Sequence, residues 1–138
     1  MLWKTTDQFV IGLQGVPISS CLGDQQAALV GQNCMRPGQA KCTYGTGCFM
    51  LYNVGPRIIH SDHGLISTVA YQLGPDTPPV YALEGSIASA GGAVTWLQKQ
   101  LGLFQKPKEI EAMASEVKDS GDIVIVPAFN GLFAPHWR

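Results

Sequence analysis

The stretch from Pro37 to Gly55, PGQAKCTYGTGCFMLYNVG, sets two runs of β-branched, aromatic and apolar residues on either side of Gly45-Thr46-Gly47. Two such runs around a glycine-rich centre predict a β-hairpin whose turn the glycines supply. The same tip admits a second reading. Two glycines let a backbone approach a phosphate closely, and backbone N–H groups together with the Thr46 hydroxyl can donate to its oxygens. Local chemistry alone leaves both readings, plain turn and phosphate clip, open.

Toward the N-terminus, Val16 to Leu22 (VPISSCL) is β-like until it meets Gly23-Asp24, and DQQAALVGQ then supplies helix formers behind an aspartate in the N-cap position. This predicts a strand, a tight glycine turn and a helix, with Asp24 at the junction. A short helix is predicted over Leu2 to Gly12. As a cap, Asp24 would contribute about 0.5–2 kcal/mol and no chemistry. With Gln25 and Gln26 beside it, the carboxylate and amides can instead hold vicinal hydroxyls through several hydrogen bonds.

Toward the C-terminus, LISTVAYQL and PVYALEGSI are strand candidates joined by the Gly74 to Pro79 loop, and together with the hairpin they suggest a sheet of successive antiparallel neighbours. Ala88 to Leu101 carries Val94, Leu97 and Leu101 at helical spacing behind Ala90-Gly91-Gly92, where glycine permits either close packing or the close approach of a ligand. Pro107 to Val117 places Ile110, Met113 and Val117 on one face of an amphipathic helix. Ile123 to Val126 reads as a continuous apolar strand before a loop rich in Gly, Pro and aromatic residues. Strands followed by packed helices indicate an α/β or α+β class.

Composition bounds the function. With 46% hydrophobic and 14% charged residues, the 138-residue chain has enough apolar side chain for one packed core. Nine Lys and Arg against ten Asp and Glu give a net charge of −1, which leaves no basic field to attract nucleic acid or anionic lipid. An anionic ligand must therefore be held by local donors. Cys21, Cys34, Cys42 and Cys48 form no C-x-x-C pair and have no histidine at zinc-site spacing, so they read as thiols in a reducing compartment. His60, His63 and His136 are scattered, and Glu84 reads as a capping or pairing residue. No apolar run approaches the length of a membrane span, and a cytoplasmic protein is expected.

Four blocks together, GDQQAAL (Gly23 to Leu29), AKCTYGTGCF (Ala40 to Phe49), ALEGSIASAGGAVTWL (Ala82 to Leu97) and VPAFNGLFAPHW (Val126 to Trp137), resemble the glycerol kinases of the sugar and polyol kinase family. The resemblance covers nearly the whole chain. It implies an incomplete part of an actin-like ATPase (ribonuclease H-like) α/β fold, a mixed sheet with β-hairpins and flanking helices. It further implies ATP-dependent phosphorylation of glycerol, with Mg2+, to sn-glycerol 3-phosphate.

By position, Asp24 matches the glycerol-bonding catalytic base, Gln25 its neighbouring glycerol ligand, and Phe49 the aromatic packed on the glycerol carbons. Thr46, with Gly45 and Gly47, matches the phosphate-binding hairpin, and Gly91 a glycine of the nucleotide site. No metal ligand is assigned to the chain.

Cys42 stands where the family usually has Asn, Thr95 where a Gln or basic residue is common near the nucleotide, and His136 where Tyr is usual. Members of the family are several times longer and have two such domains flanking a cleft. Residues 1–22 are therefore expected to end the N-terminal kinase domain, and residues 23–138 to begin the C-terminal one. The N-terminal phosphate loop, the Arg-Glu pair and Tyr of the glycerol site, and the later adenosine loop have no counterpart here. The expected whole is a homo-oligomeric enzyme, with the isolated chain inactive. The alternatives are a kinase for another polyol or ketose, or a non-catalytic binding module.

Overall fold

The computed structural model describes residues 3–4 and 15–138. Its elements run β1 (Trp3–Lys4), β2 (Pro17–Ile18), α1 (Asp24–Gly31), β3 (Ala40–Tyr44), β4 (Cys48–Gly55), β5 (Ile66–Tyr71), β6 (Val80–Ile87), α2 (Gly91–Lys99) and α3 (Glu109–Ser115). The expected hairpin is there: β3 and β4 pair antiparallel from Ala40 opposite Tyr52 to Tyr44 opposite Cys48, with Gly45-Thr46-Gly47 as the turn.

The sheet order is β3-β4-β6-β5, antiparallel throughout. This corrects the expectation of successive neighbours, because β6 inserts between β4 and β5. It lies against β4 from Cys48 opposite Ile87 to Gly55 opposite Tyr81. Central placement suits its composition, since a strand paired on both edges has all its backbone groups satisfied by neighbours.

Helix α1 lies across one face of this sheet. Leu29 is its buried anchor and packs with Cys34, Leu51, Ala70 and Ala82. The cap residue is Gly23, whose carbonyl accepts from the Ala27 N–H at 2.9 Å, so Asp24 is the first helical residue and not the cap. An acidic side chain in the first turn still meets the positive end of the helix dipole. The helix ends with Asn33 in the left-handed region (φ 57°). Its N–H donates to the Val30 carbonyl at 2.8 Å and the Cys34 N–H to that of Leu29 at 3.0 Å, which closes the last turn on itself.

Asn53, fully buried, ties the loop that follows α1 to the sheet. Its Nδ2 donates to the Cys34 carbonyl at 3.0 Å, and its Oδ1 accepts from the Gly55 N–H at 2.9 Å. The Tyr71 hydroxyl donates to the Met35 carbonyl at 2.8 Å beside it. These bonds meet the requirement that a buried polar group be paired.

Three local readings change. Trp3–Lys4 are extended and pair with Pro17–Ile18, in place of the helix predicted over Leu2 to Gly12; the remainder of that stretch lies outside the described residues. Ile123 to Val126 form no strand and are 66–84% exposed. A strand needs a ladder partner for its N–H and C=O groups, and no described residue provides one there. Helices α2 and α3 form at the expected places but bury none of their residues; Leu101, Met113 and Val117 remain exposed.

Trp96 of α2 packs against Phe129 with ring centroids 4.9 Å apart, and the first turn is held by hydrogen bonds. The N–H groups of Ala90, Gly91 and Gly92 donate to the carbonyls of Thr46, Gly45 and Thr46 at 2.8, 2.9 and 3.0 Å. The hairpin tip therefore satisfies donors that a helix N-terminus leaves without an internal partner. The approach is too close for side chains: a Cβ at Gly91 would lie 2.6 Å from the Gly45 carbonyl oxygen, and one at Gly47 2.6 Å from that of Ile87. Gly31, by contrast, has nothing within 4 Å of a Cβ. Gly91→Ala and Gly47→Ala are each expected to cost about 1–3 kcal/mol in urea unfolding, whereas Gly31→Ala should be neutral or gain about 0.4–1 kcal/mol. Equal effects at the three positions would contradict this account of the tip.

Candidate functional site

The strand register sorts the hairpin side chains onto two faces. Residues directly opposite in an antiparallel pair share a face, and successive residues alternate. Lys41 pairs with Leu51 and Thr43 with Phe49, while across β6 Glu84 meets Leu51 and Ser86 meets Phe49. Because Leu51 packs with Leu29 of α1, the face that carries Lys41, Thr43, Phe49, Glu84 and Ser86 is the face on which α1 lies. The expected acceptor residue Phe49, 36% exposed, thus shares a floor with the N-terminal end of α1.

At that end Asp24 is exposed and Gln25 half-buried. The Gln25 Nε2 donates to Asp24 Oδ2 at 3.1 Å. The Lys41 Nζ donates to Gln25 Oε1 and, at 2.9 Å, to Thr43 Oγ1. Lys41 is only 5% exposed. Burial pushes its pKa below the usual lysine value, and the Asp24 carboxylate, then Cys42, Glu84 and Cys34, pull in the opposite direction. No local pattern singles out this residue, because a lysine in a strand ordinarily reads as solvent-facing. Its carboxylate neighbours Asp24 and Glu84 and its acceptor Gln25 come from other segments, so only the assembled fold brings them together.

The tip lies two to three residues beyond Thr43, roughly 7–10 Å along the strand. Thr46 and Gly45 are exposed. Their carbonyls are committed to α2, and the Gly45 N–H to the Gly47 carbonyl at 2.8 Å. Among the described residues, the Thr46 N–H, the Thr46 hydroxyl and the Gly47 N–H have no partner. Three free donors on an exposed turn suit phosphate oxygens. The Gly91 N–H is not among them, since it is bonded to Gly45; the small residue at 91 is explained by close packing of the tip. Thr95 bonds within its own helix, its hydroxyl donating to the Gly91 carbonyl at 3.1 Å.

The opposite sheet face carries Cys42, Tyr44, Cys48 and Met50. The Cys42 and Cys48 sulfurs are 3.8 Å apart, and all four cysteines are free. Burial, with Cys42 beside it, pushes the Cys48 thiol up. Cys42 is therefore on the far side of the sheet from Gln25 and Phe49. The C-terminal loop closes a cleft of about 350 Å³ lined by Ile87, Ser89, Val126, Leu132, Phe133 and His136. Trp137 fixes that loop by donating its indole N–H to the Gly64 carbonyl at 2.8 Å. Among the described residues no group of three or more His, Cys, Asp or Glu is placed to hold a metal ion. No helix of the described residues is long and apolar enough to cross a membrane.

An antiparallel sheet with α1 on one face and α2 clasped at the hairpin tip is the fold of a sugar-kinase domain segment. The chain belongs to the FGGY family of carbohydrate kinases: residues 40–138 match the family's C-terminal domain. Within that family its similarity is to glycerol kinases. It is 58% identical over 126 residues, 91% of the chain, to a probable glycerol kinase of Dictyostelium discoideum, and covers 23% of that protein. To the glycerol kinase of Methylorubrum populi it is 55% identical over all 138 residues, which make up 26% of that protein.

The structure of Plasmodium falciparum glycerol kinase with ADP superposes with a TM-score of 0.80 at 42% identity, covering 98% of this chain and 26% of that one. Xylulose kinase of Rhodospirillum rubrum follows with a TM-score of 0.64 at 27% identity, covering 86% of this chain and 24% of that one. The resemblance drawn from the four sequence blocks and the actin-like ATPase fold expected from it are both borne out. The chain spans about a quarter of the length of the curated relatives it matches.

The position of Lys41 has a measurable consequence. A lysine whose folded-state pKa lies below its unfolded value of 10.5 binds its proton less tightly in the folded state. Stability should therefore rise with pH between the folded-state value and 10.5. Urea unfolding across that alkaline window should show the rise in the wild-type chain and not in Lys41→Met; parallel profiles would contradict burial of the ammonium.

Proposed function

We propose that the chain forms the acceptor and phosphate-binding segment of a glycerol kinase, which phosphorylates glycerol to sn-glycerol 3-phosphate with ATP. The observation that carries this reading is that α1, which bears Asp24 and Gln25, lies on the sheet face that bears Phe49, with hydrogen bonds running from Gln25 through Lys41 to Thr43, on the strand that leads into the Thr46 tip. Phosphoryl transfer asks mainly for positioning and charge stabilisation, and the site provides both. Residues 23–138 would begin the C-terminal domain of the enzyme and residues 1–22 the connection to the preceding one, in a cytoplasmic and homo-oligomeric protein.

Asp24 holds a terminal glycerol hydroxyl through the oxygen that Gln25 leaves free, and takes its proton as the new O–P bond forms. Gln25 bonds the neighbouring hydroxyl, and Phe49 covers the carbons. The Thr46 N–H and hydroxyl and the Gly47 N–H hold oxygens of the transferring phosphate, where fixed donors are most effective in a site closed to water. Gly45 and Gly91 serve the nucleotide site by packing the tip against α2. Bound ATP would supply the γ-phosphoryl group and leave as ADP, and its Mg2+ would neutralise charge on the phosphate oxygens.

A second reading, a kinase for a ketose, is favoured by the similarity to the xylulose kinase. The two readings part in a chimera that carries this chain in place of the matching segment of the Methylorubrum populi glycerol kinase. The chimera is expected to phosphorylate glycerol in preference to xylulose; the opposite preference would overturn the acceptor assignment. In the same chimera Asp24→Asn should lower turnover about 10²- to 10⁴-fold with ADP binding kept, and near-normal turnover would remove Asp24 as the base. The isolated 138-residue chain should show no glycerol phosphorylation, since one wall of a cleft cannot orient both substrates.

A further inference from the structure

Lys41 is the most deeply buried charged side chain among the described residues, and its bonds lead toward the acceptor site. Its ammonium donates to Gln25 Oε1 and to Thr43 Oγ1 and, having three protons and no acceptor, can only donate. That settles which end of the Gln25 amide faces it. The carbonyl oxygen turns to Lys41 and the Nε2 is left to donate to Asp24 Oδ2 at 3.1 Å. An unrestrained glutamine can exchange its two ends by a half-turn, and with the ends exchanged Oε1 would face the aspartate, acceptor against acceptor.

We propose that Lys41 is a positioning residue for the acceptor site: it fixes the Gln25 amide and, through it, the Asp24 carboxylate in the orientation that receives glycerol. The inference rests on the glycerol kinase reading. Glu84, across the sheet on the same face, and Asp24 offset the ammonium's charge, so the cation is kept in place without contacting substrate. Thr43 fixes the ammonium from the strand side. The order Thr43, Lys41, Gln25, Asp24 is thus one continuous run of hydrogen bonds from the hairpin to the base.

The test is a double-mutant cycle in the Methylorubrum populi chimera, with Lys41→Met, Gln25→Ala and both together. Methionine fills similar volume without a charge to desolvate, so the fold is expected to survive. Should Lys41→Met still fail to fold, as read by ADP binding and melting, Lys41→Gln carries the same cycle. Lys41→Met is expected to raise the glycerol KM about tenfold or more, with the ATP KM within about twofold.

Because Lys41 acts through Gln25, the double variant should be no worse than Gln25→Ala alone. Multiplicative effects of the two substitutions, or a changed melting temperature with an unchanged glycerol KM, would show a structural lysine only and overturn the inference while leaving the glycerol kinase reading intact. A folded, ADP-binding wild-type chimera that does not phosphorylate glycerol would overturn the functional reading, and the inference with it.

Discussion

Much of the molecule depends on three backbone hydrogen bonds between the hairpin tip and the first turn of α2. The carbonyls of Gly45 and Thr46 point one way and accept from Ala90, Gly91 and Gly92. Among the described residues the Thr46 and Gly47 amides are left without a partner. The turn is thus both an anchor and a donor surface, and these roles use different atoms of the same three residues. Glycine is required at 47 and 91 because backbone meets backbone there, with no room for a Cβ. No side chain of α2 is fully buried, and its first turn is held by the bonds to the tip.

The second constraint is the separation of chemistry by sheet face. Alternation along β3 and β4 sends Lys41, Thr43 and Phe49 toward α1, and Cys42, Tyr44 and Met50 away from it. Cys42 therefore lies on the far face of the sheet, away from Lys41, Thr43 and Phe49. On the near face, the apolar anchor at Leu29 and Leu51 sets the height of α1 above the sheet. The polar run from Thr43 to Asp24 lies beyond that anchor, toward the tip. Packing thus places the helix, and hydrogen bonds orient its first two residues.

The elements that the sequence revealed are those set by local pattern. Glycine flanked by β-formers specified the hairpin, the β-branched, aromatic and apolar runs in ISTVAY and VYALEGSI on either side of a Gly/Pro loop specified β5 and β6, and Gly23 with the following helix formers specified α1. Sheet order was not legible, because the insertion of β6 between β4 and β5 is decided by pairing between distant segments. For the same reason Trp3–Lys4 follow a strand partner at Pro17–Ile18 in place of a helical pattern. Ile123 to Val126 have strand composition but no partner among the described residues. In the site, Asp24, Gln25 and the Thr46 tip could be named because their order along the chain resembles one family. Lys41 could not, because its importance comes from burial, which no local window shows.

The central claim is that one turn clasps α2 with its carbonyls and binds phosphate with its amides. The crystal structure of the Methylorubrum populi chimera with ADP and glycerol tests it most directly. The account predicts a phosphate oxygen within hydrogen-bond distance of the Thr46 N–H and hydroxyl, glycerol on Asp24 and Gln25, and the bonds from Gly45 and Thr46 to α2 unbroken. A phosphate bound instead by the Gly91 and Gly92 amides, with the tip released, would contradict it.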